Sequence, residues 1–215
     1  MYWSVVVPVK RVEKAKTRLR DAVPGADHEA LVLALAADTV RAVLASAPVA
    51  RVIVVTDDPR AADQLSRLGA LVVPDLPDAG LNPALAHGAA VAAETSPSDG
   101  VAVVGSDRPA LRADDLAAVL ASAAAYDRSF LPDAAGTGTA LLAARPGVRL
   151  DPHFGPASAA AHTGSGAVSL SGDWASLRHD TDTATDLVVA RALGLGPRTA
   201  AVLGSSPVAD GGDVP

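Results

Sequence analysis

Two rhythms of apolar residues alternate along this chain. Short valine-rich runs at 2–9, 51–55, 70–73 and 100–104 read as buried strands. Between them, segments at about 27–46, 59–68, 84–94 and 114–125 return apolar residues at helical spacing. Turn residues close three of the strands: Pro8-Val9-Lys10, Thr56-Asp57-Asp58-Pro59 and Gly105-Ser106-Asp107. Asp27 is the expected N-cap of the first helix. That helix is apolar on most sides, with Asp38, Thr39 and Arg41 as the main exceptions, so its burial is expected. The alternation predicts an α/β fold: a Rossmann-like, mixed but mostly parallel sheet with helices on both faces. After Tyr126 the rhythm changes, to short strands at 129–131, 139–143 and 167–169 and a last helix at 183–193. No repeat or linker divides the chain. Residues 1–203 read as one domain, and 204–215, rich in Gly, Pro, Ser and Asp, as a poorly ordered tail.

Composition narrows the class. With 49% hydrophobic and only 3% aromatic residues, Ala, Val and Leu must fill the core, which suits helices packed closely on a sheet. The longest apolar stretch, 30–37, is far too short to span a membrane, and the strand-like start gives no sign of a leader. No cysteine is present, which excludes disulfides, thiolate nucleophiles and Cys-based metal sites. The cytoplasm is the expected compartment. A net charge of -6 argues against general nucleic-acid or anionic-membrane binding.

The positive charge is unevenly placed. All three lysines, Lys10, Lys14 and Lys16, fall within one short stretch that also holds Arg11, Arg18 and Arg20. A solvated face would explain such a run, and so would a polyanion site. The stretch directly follows the first strand, and in open α/β sheets ligands bind at the carboxyl ends of strands. Asp107, delivered there by a buried strand, is suited to a hard cation such as Mg²⁺, or to capping the turn before Pro109. The run from Asp133 to Ala140 is either an anion-holding Gly-Thr loop or a hairpin turn. Near the last helix Asp182 is a natural N-cap, which leaves Asp180 as the best second metal ligand. The five histidines lack metal-ligand spacing and read as surface or capping residues. Residues 9–20 contain no glycine, so the dinucleotide fingerprint is missing, as are the GxxxxGK[ST] loop and the GxSxG elbow.

Taken in order, the motifs resemble a known family. They are Pro8-Val9-Lys10, Ala15-Lys16-Thr17-Arg18-Leu19, Thr56-Asp57-Asp58-Pro59, Gly80-Leu81-Asn82-Pro83, Gly105-Ser106-Asp107, Asp133 to Leu142, Phe154-Gly155-Pro156-Ala157-Ser158 and Asp180 to Leu187. The series is similar to the guanylyltransferases of coenzyme F-420 biosynthesis, which act on phosphoenolpyruvate or 2-phospho-L-lactate. The resemblance implies a fold like that of the nucleotide-diphospho-sugar transferases, with GTP and Mg²⁺. It implies metal ligation by Asp107 and Asp180, acid binding by Thr139, Gly155 and Ser158, and catalytic contacts from Lys10, Lys16 and Asp107. Nucleotide contacts would fall on Lys10, Lys16, Arg18, Thr56, Asp57, Asp58, Gly80 and Asn82. Arg108 departs from the pattern, which has leucine there; it either adds a cation beside Asp107 or points to solvent. Ala140 also departs, standing where a polar residue is common. Another nucleotidyltransferase of the same fold, acting on molybdopterin or a sugar phosphate, and a non-catalytic nucleotide-binding module are the alternatives.

Overall fold

The computed structural model describes residues 1–19, 27–76 and 78–204. Its strands form a seven-stranded sheet ordered β3-β2-β1-β4-β6-β5-β7. These are β1 (Trp3–Pro8), β2 (Val49–Val55), β3 (Leu71–Val73), β4 (Gly100–Val104), β5 (Arg128–Pro132), β6 (Thr139–Ala144) and β7 (Val168–Ser169). Pairing is parallel among β1, β2, β3 and β4 and between β5 and β7; β6 runs antiparallel to both β4 and β5. The sheet is therefore mixed, and the change of rhythm after Tyr126 marks the antiparallel β5–β6 hairpin.

Strand periodicity divides the core between the two faces. Val5, Val7, Val52 and Val54 point to one face and pack with α1 (His28–Leu44), α2 (Pro59–Ser66) and α4 (Ala113–Ala123). Val6, Ile53 and Val55 point to the other and pack with α3 (Leu81–Thr95) and α5 (Ser158–Gly164). Few aromatics are needed because α3 lies almost against the sheet. A Cβ on Gly88 would sit 2.5 Å from Val6 Cγ1 and 2.8 Å from Val55 Cγ2. Gly88→Ala would gain about 1 kcal/mol of helix propensity. Overpacking two buried β-branched neighbours costs about 1–3 kcal/mol. The expected net result is a lower denaturant midpoint in equilibrium unfolding, with an unchanged or raised midpoint contradicting the close packing.

Of the polar exceptions on α1, Asp38 and Thr39 are buried and hold the structure together, whereas Arg41 is exposed. Asp27 caps the helix, accepting from the backbone of Glu29 and Ala30. Thr39 lies 3.2 Å from the Ser106 carbonyl and accepts from the Arg108 backbone N–H at 3.0 Å, which fixes the loop carrying Asp107. Asp38 accepts from the backbone of Arg198 and Thr199 at 3.2 and 2.7 Å, capping α8 (Pro197–Gly204). The helix expected to be last is α7 (Ala184–Leu193), so α8 was missed, as were α5 and the short α6 (Ala175–Arg178). Residue 204 ends α8, and 205–215 lie outside the described residues.

The N-cap of α7 also differs from expectation. Thr183 caps it, accepting from Asp186 N–H while the Asp186 carboxylate reaches back, a reciprocal capping box. The Asp182 carboxylate is thereby free of the helix end, although its backbone N–H donates to Asp186 at 3.1 Å.

Candidate active site

Two adjoining cavities open at the carboxyl ends of β1, β2 and β4. The larger holds about 290 Å³ and is bordered by Lys10, Lys16, Gly105, Asp107 and Asp182. The smaller holds about 220 Å³ and is bordered by Arg11, Asp57, Asp75, Asp78 and Gly80. Lys10, exposed at the end of β1, lies on the wall of both.

Lys16 lines the larger cavity. Its ammonium donates to Asp107 Oδ2 at 2.5 Å and to Asp182 Oδ1. The Lys16 backbone is left-handed, with φ of 52°, a conformation that a non-glycine residue holds at a cost of about 1–3 kcal/mol. Burial works against the ammonium, but Asp107 and Asp182 outweigh it and raise its pKa. Burial likewise opposes the charge on Asp107, but Lys16 and Arg108 outweigh it and hold the carboxyl below its usual range.

The segment carrying Asp180 is pinned to the same place, since Thr181 N–H donates to the Asp107 carbonyl at 3.0 Å. The Asp180 carboxyl is pushed up, first by burial and then by Asp107. Asp107, Asp180 and Asp182 outnumber the two cations beside them, Lys16 and Arg108, so the acidic group is under-compensated. Arg108 does not point to solvent: only 4% of it is exposed, and its Nε and Nη1 have no hydrogen-bond partner. It adds positive charge behind Asp107.

The Thr56–Asp58 turn divides its labour. Asp58 is buried; its carboxylate accepts from the backbone of Val12, Arg60 and Ala61, capping α2 and tying down the basic loop. Burial raises its pKa, but these three N–H donors outweigh burial and lower it. Thr56 is buried as well and accepts from Asp58 N–H. The member of this motif on the cavity wall is Asp57, which accepts from Asp75 N–H at 3.0 Å and faces Arg11 at 3.7 Å. Asp57, Asp75 and Asp78 can bring one oxygen each within 4.8 Å of one another, a second possible cation site. Asp75 is held above its usual pKa, first by burial and then by the other two.

Asn82 lines neither of these two cavities. Its amide accepts from Phe154 N–H at 2.7 Å and donates to the Phe154 carbonyl at 2.9 Å, so it fastens the loop before Gly155 to α3. Arg18 is exposed on the short helical turn Thr17–Leu19.

The residues expected to bind the acid form their own group. Leu141 pairs with Val104, so Thr139 lies beside the 105–106 end of β4. Ser158 Oγ lies 3.0 Å from Thr139 Oγ1, and Ser158 N–H donates to the Gly155 carbonyl at 3.2 Å. The Asp133–Ala140 run is a hairpin turn: Asp133 accepts from Thr137 N–H and donates its own N–H to Gly138.

His162 backs this group. The sequence placed all histidines at the surface or at caps, yet His162 is fully buried. Burial first, then His153 and Arg128, draws its pKa down from 6.5 to about 4. The unfolded chain takes up this proton near 6.5 and the folded chain only near 4, so this group's stabilising effect is complete above 6.5 and lost as pH falls toward 4. Asp151, drawn to about 2 first by His153 and also by Arg149 and Arg128, adds a second loss only below its ordinary 3.8. Urea titrations should show the first window costing on the order of 2–3 kcal/mol, and His162→Asn should flatten it. An equally steep fall in that variant would assign the window to other groups.

The arrangement defines a class. The mixed, mostly parallel sheet with helices on both faces is the fold of the nucleotide-diphospho-sugar transferases. A Desulfovibrio desulfuricans G20 protein assigned as a nucleotide-diphospho-sugar transferase superposes with a TM-score of 0.69 at 19% identity, covering 95% of this chain and 98% of that one. A nucleotidyl transferase from Methanothermobacter thermautotroptrophicus gives 0.60 at 19% identity, covering 89% and 97%.

The family follows from sequence. The model described as guanylyl transferase CofC like matches residues 3–164, and the chain belongs to that family. A phosphoenolpyruvate guanylyltransferase of Salinispora arenicola (strain CNS-205) is 58% identical over 95% of this chain and 94% of its own length. One from Thermomonospora curvata is 55% identical over 95% and 90%. Among the described residues no helix is long and apolar enough to cross a membrane.

Proposed function

We propose that this chain joins GMP from GTP to phosphoenolpyruvate, or to 2-phospho-L-lactate, with release of pyrophosphate, in the formation of coenzyme F-420. Family membership and the names of the close relatives support the reading. The observation that carries it is the Lys16 ammonium shared between Asp107 and Asp182 in one cavity with Lys10.

The chemistry asks little of a general base. A phosphate oxygen of the acid, already ionised, attacks the α-phosphorus of GTP. The new P–O bond forms as the α–β bridging bond breaks, and its electron pair leaves on pyrophosphate. The obstacle is repulsion between two anions, so positioning and charge neutralisation dominate the catalysis. Lys10, Lys16 and Arg18 are suited to the triphosphate. Asp107 and Asp180, joined by Asp182, suit a divalent ion: they are hard oxygen donors, a cationic nitrogen already sits between two of them, and Asp180 remains under-compensated. When bound, Mg²⁺ would neutralise phosphate charge and align the two reactants.

Gly80 and the carboxylates of Asp57 and Asp75 line the place for guanine, whose N1–H and amino group both donate to a carboxylate, whereas adenine offers no N1–H. Thr139, Gly155 and Ser158 face the acid.

The test is a pyrophosphate-release matrix of four nucleoside triphosphates against phosphoenolpyruvate, 2-phospho-L-lactate and 3-phospho-D-glycerate. Release with GTP and one of the first two acids is expected. Release only with 3-phospho-D-glycerate, or stoichiometric GTP binding without any release, would overturn the proposal.

A further inference from the structure

The hydrogen bonds behind Thr139 and Ser158 admit a proton count. His153 N–H donates to His162 Nε2 at 3.0 Å. A backbone N–H can only donate, so Nε2 carries a lone pair. Enclosed by the rings of Phe130, His153 and Phe154, the imidazole is neutral above a pKa of about 4. Its single proton is therefore on Nδ1, which donates to Thr139 Oγ1 at 2.8 Å. The two hydroxyls, Thr139 and Ser158, are joined by one hydrogen bond. Two hydroxyl protons and one link leave one proton over, and among the described residues no protein acceptor takes it.

We infer that His162 is a positioning residue that fixes the polarity of the acid-binding pair, so that Thr139 and Ser158 together present an O–H donor to an anionic oxygen of the acceptor. The opposite tautomer would reverse this. Nδ1 would accept the Thr139 proton, Thr139 would accept the Ser158 proton, and the pair would offer only lone pairs, which repel an anion. The His153 backbone N–H sets the choice. The chemical class selected is an ionised carboxylate or phosphate oxygen, because hydrogen bonds to a charged acceptor are roughly twice as strong as neutral ones. The inference rests on the reading that Thr139 and Ser158 face the acid.

A double-mutant cycle tests it. Gln at position 162 can still accept from His153 N–H but has no donor where Nδ1 stood. His162→Gln should raise KM for the acid about 10-fold or more, the equivalent of one charged hydrogen bond, while KM for GTP changes little. Thr139→Val should do the same, and the double variant should be little worse than either single one, because His162 acts through Thr139. If Thr139→Val leaves the acid KM unchanged, the acid is bound elsewhere. If Thr139→Val raises it and a folded His162→Gln does not, or the two effects simply add, the positioning role is wrong and the acid site stands.

Should His162→Gln fail to fold, ¹⁵N NMR of the unsubstituted protein decides. The inference requires an Nδ1-protonated, neutral His162 from pH 5 to pH 8. An Nε2-protonated or charged ring there would overturn it.

Discussion

Asp107→Asn is expected to lower turnover about 10³-fold while circular dichroism stays that of the folded chain. Asparagine keeps the shape but removes the charge that the site is built around. Three features converge on that residue: the Lys16 ammonium 2.5 Å from its carboxylate, the buried Arg108 behind it, and the Thr181 N–H bond to its backbone carbonyl that brings Asp180 alongside. Losing one preorganised charge-stabilising group costs about 10²–10³-fold in turnover, and here the same group is proposed to hold a metal ion as well. Some stability should go with it, because Lys16 and Arg108 lose a counter-charge. A fully buried broken pair costs about 3–5 kcal/mol. The Asp107 side chain is 22% exposed, so a smaller loss is expected. Pyrophosphate release within tenfold of the parent enzyme would reject the role.

Lys16→Ala should separate the two substrates and reveal the cation site. The variant removes the only cation bonded to both Asp107 and Asp182 among the described residues. Calorimetry should show GTP binding weakened about 10- to 100-fold, the scale of one charged hydrogen bond at 1.5–3 kcal/mol, with a smaller loss for the acid. The carboxylates left behind repel one another, so the apo variant should melt lower. A divalent ion can take the place of the ammonium, and a ligand that binds only the folded state raises stability in proportion to its affinity. Millimolar Mg²⁺ should therefore raise the Tm of Lys16→Ala more than that of the parent. Equal losses for both substrates, together with equal Mg²⁺ shifts, would show that Lys16 does not occupy a cation position.

The sheet was legible because its signal is local. Valine runs ending in Lys10, Thr56 and Gly105, with Asp27 before an apolar helix, identify the parallel strands and the first helix. What escaped depends on distant partners. Helix α8 is docked by Asp38, which along the sequence is merely a polar break in an apolar helix. Asp58 and Asp182 exchanged expected roles for the same reason. Asp58, expected as a nucleotide contact, is a buried cap of α2, whereas Asp182, expected as a cap, meets Lys16, because Thr183 and Asp186 complete the capping box one residue later.

Chemistry at the strand ends was visible in residue type but not in its bonding. The run of basic residues after β1 pointed to an anion site, yet nothing in the spacing showed that Lys16 crosses to Asp107. Asp75 lies in a proline-rich loop that gives no periodic signal, and only its fold-dependent closeness to Asp57 brings it to a cavity. His162 had no motif at all. Its place depends on β6, the 151–154 segment and α5 meeting, and a lone histidine before Thr163-Gly164 carries no trace of that.

The most direct measurement is the position of Mn²⁺, located by anomalous scattering in crystals grown with GTP. The expected peak is bound by Asp107 together with Asp180 or Asp182, with Lys16 turned toward phosphate. A peak held instead by Asp57, Asp75 and Asp78, with Lys16 still bridging Asp107 and Asp182, would contradict it.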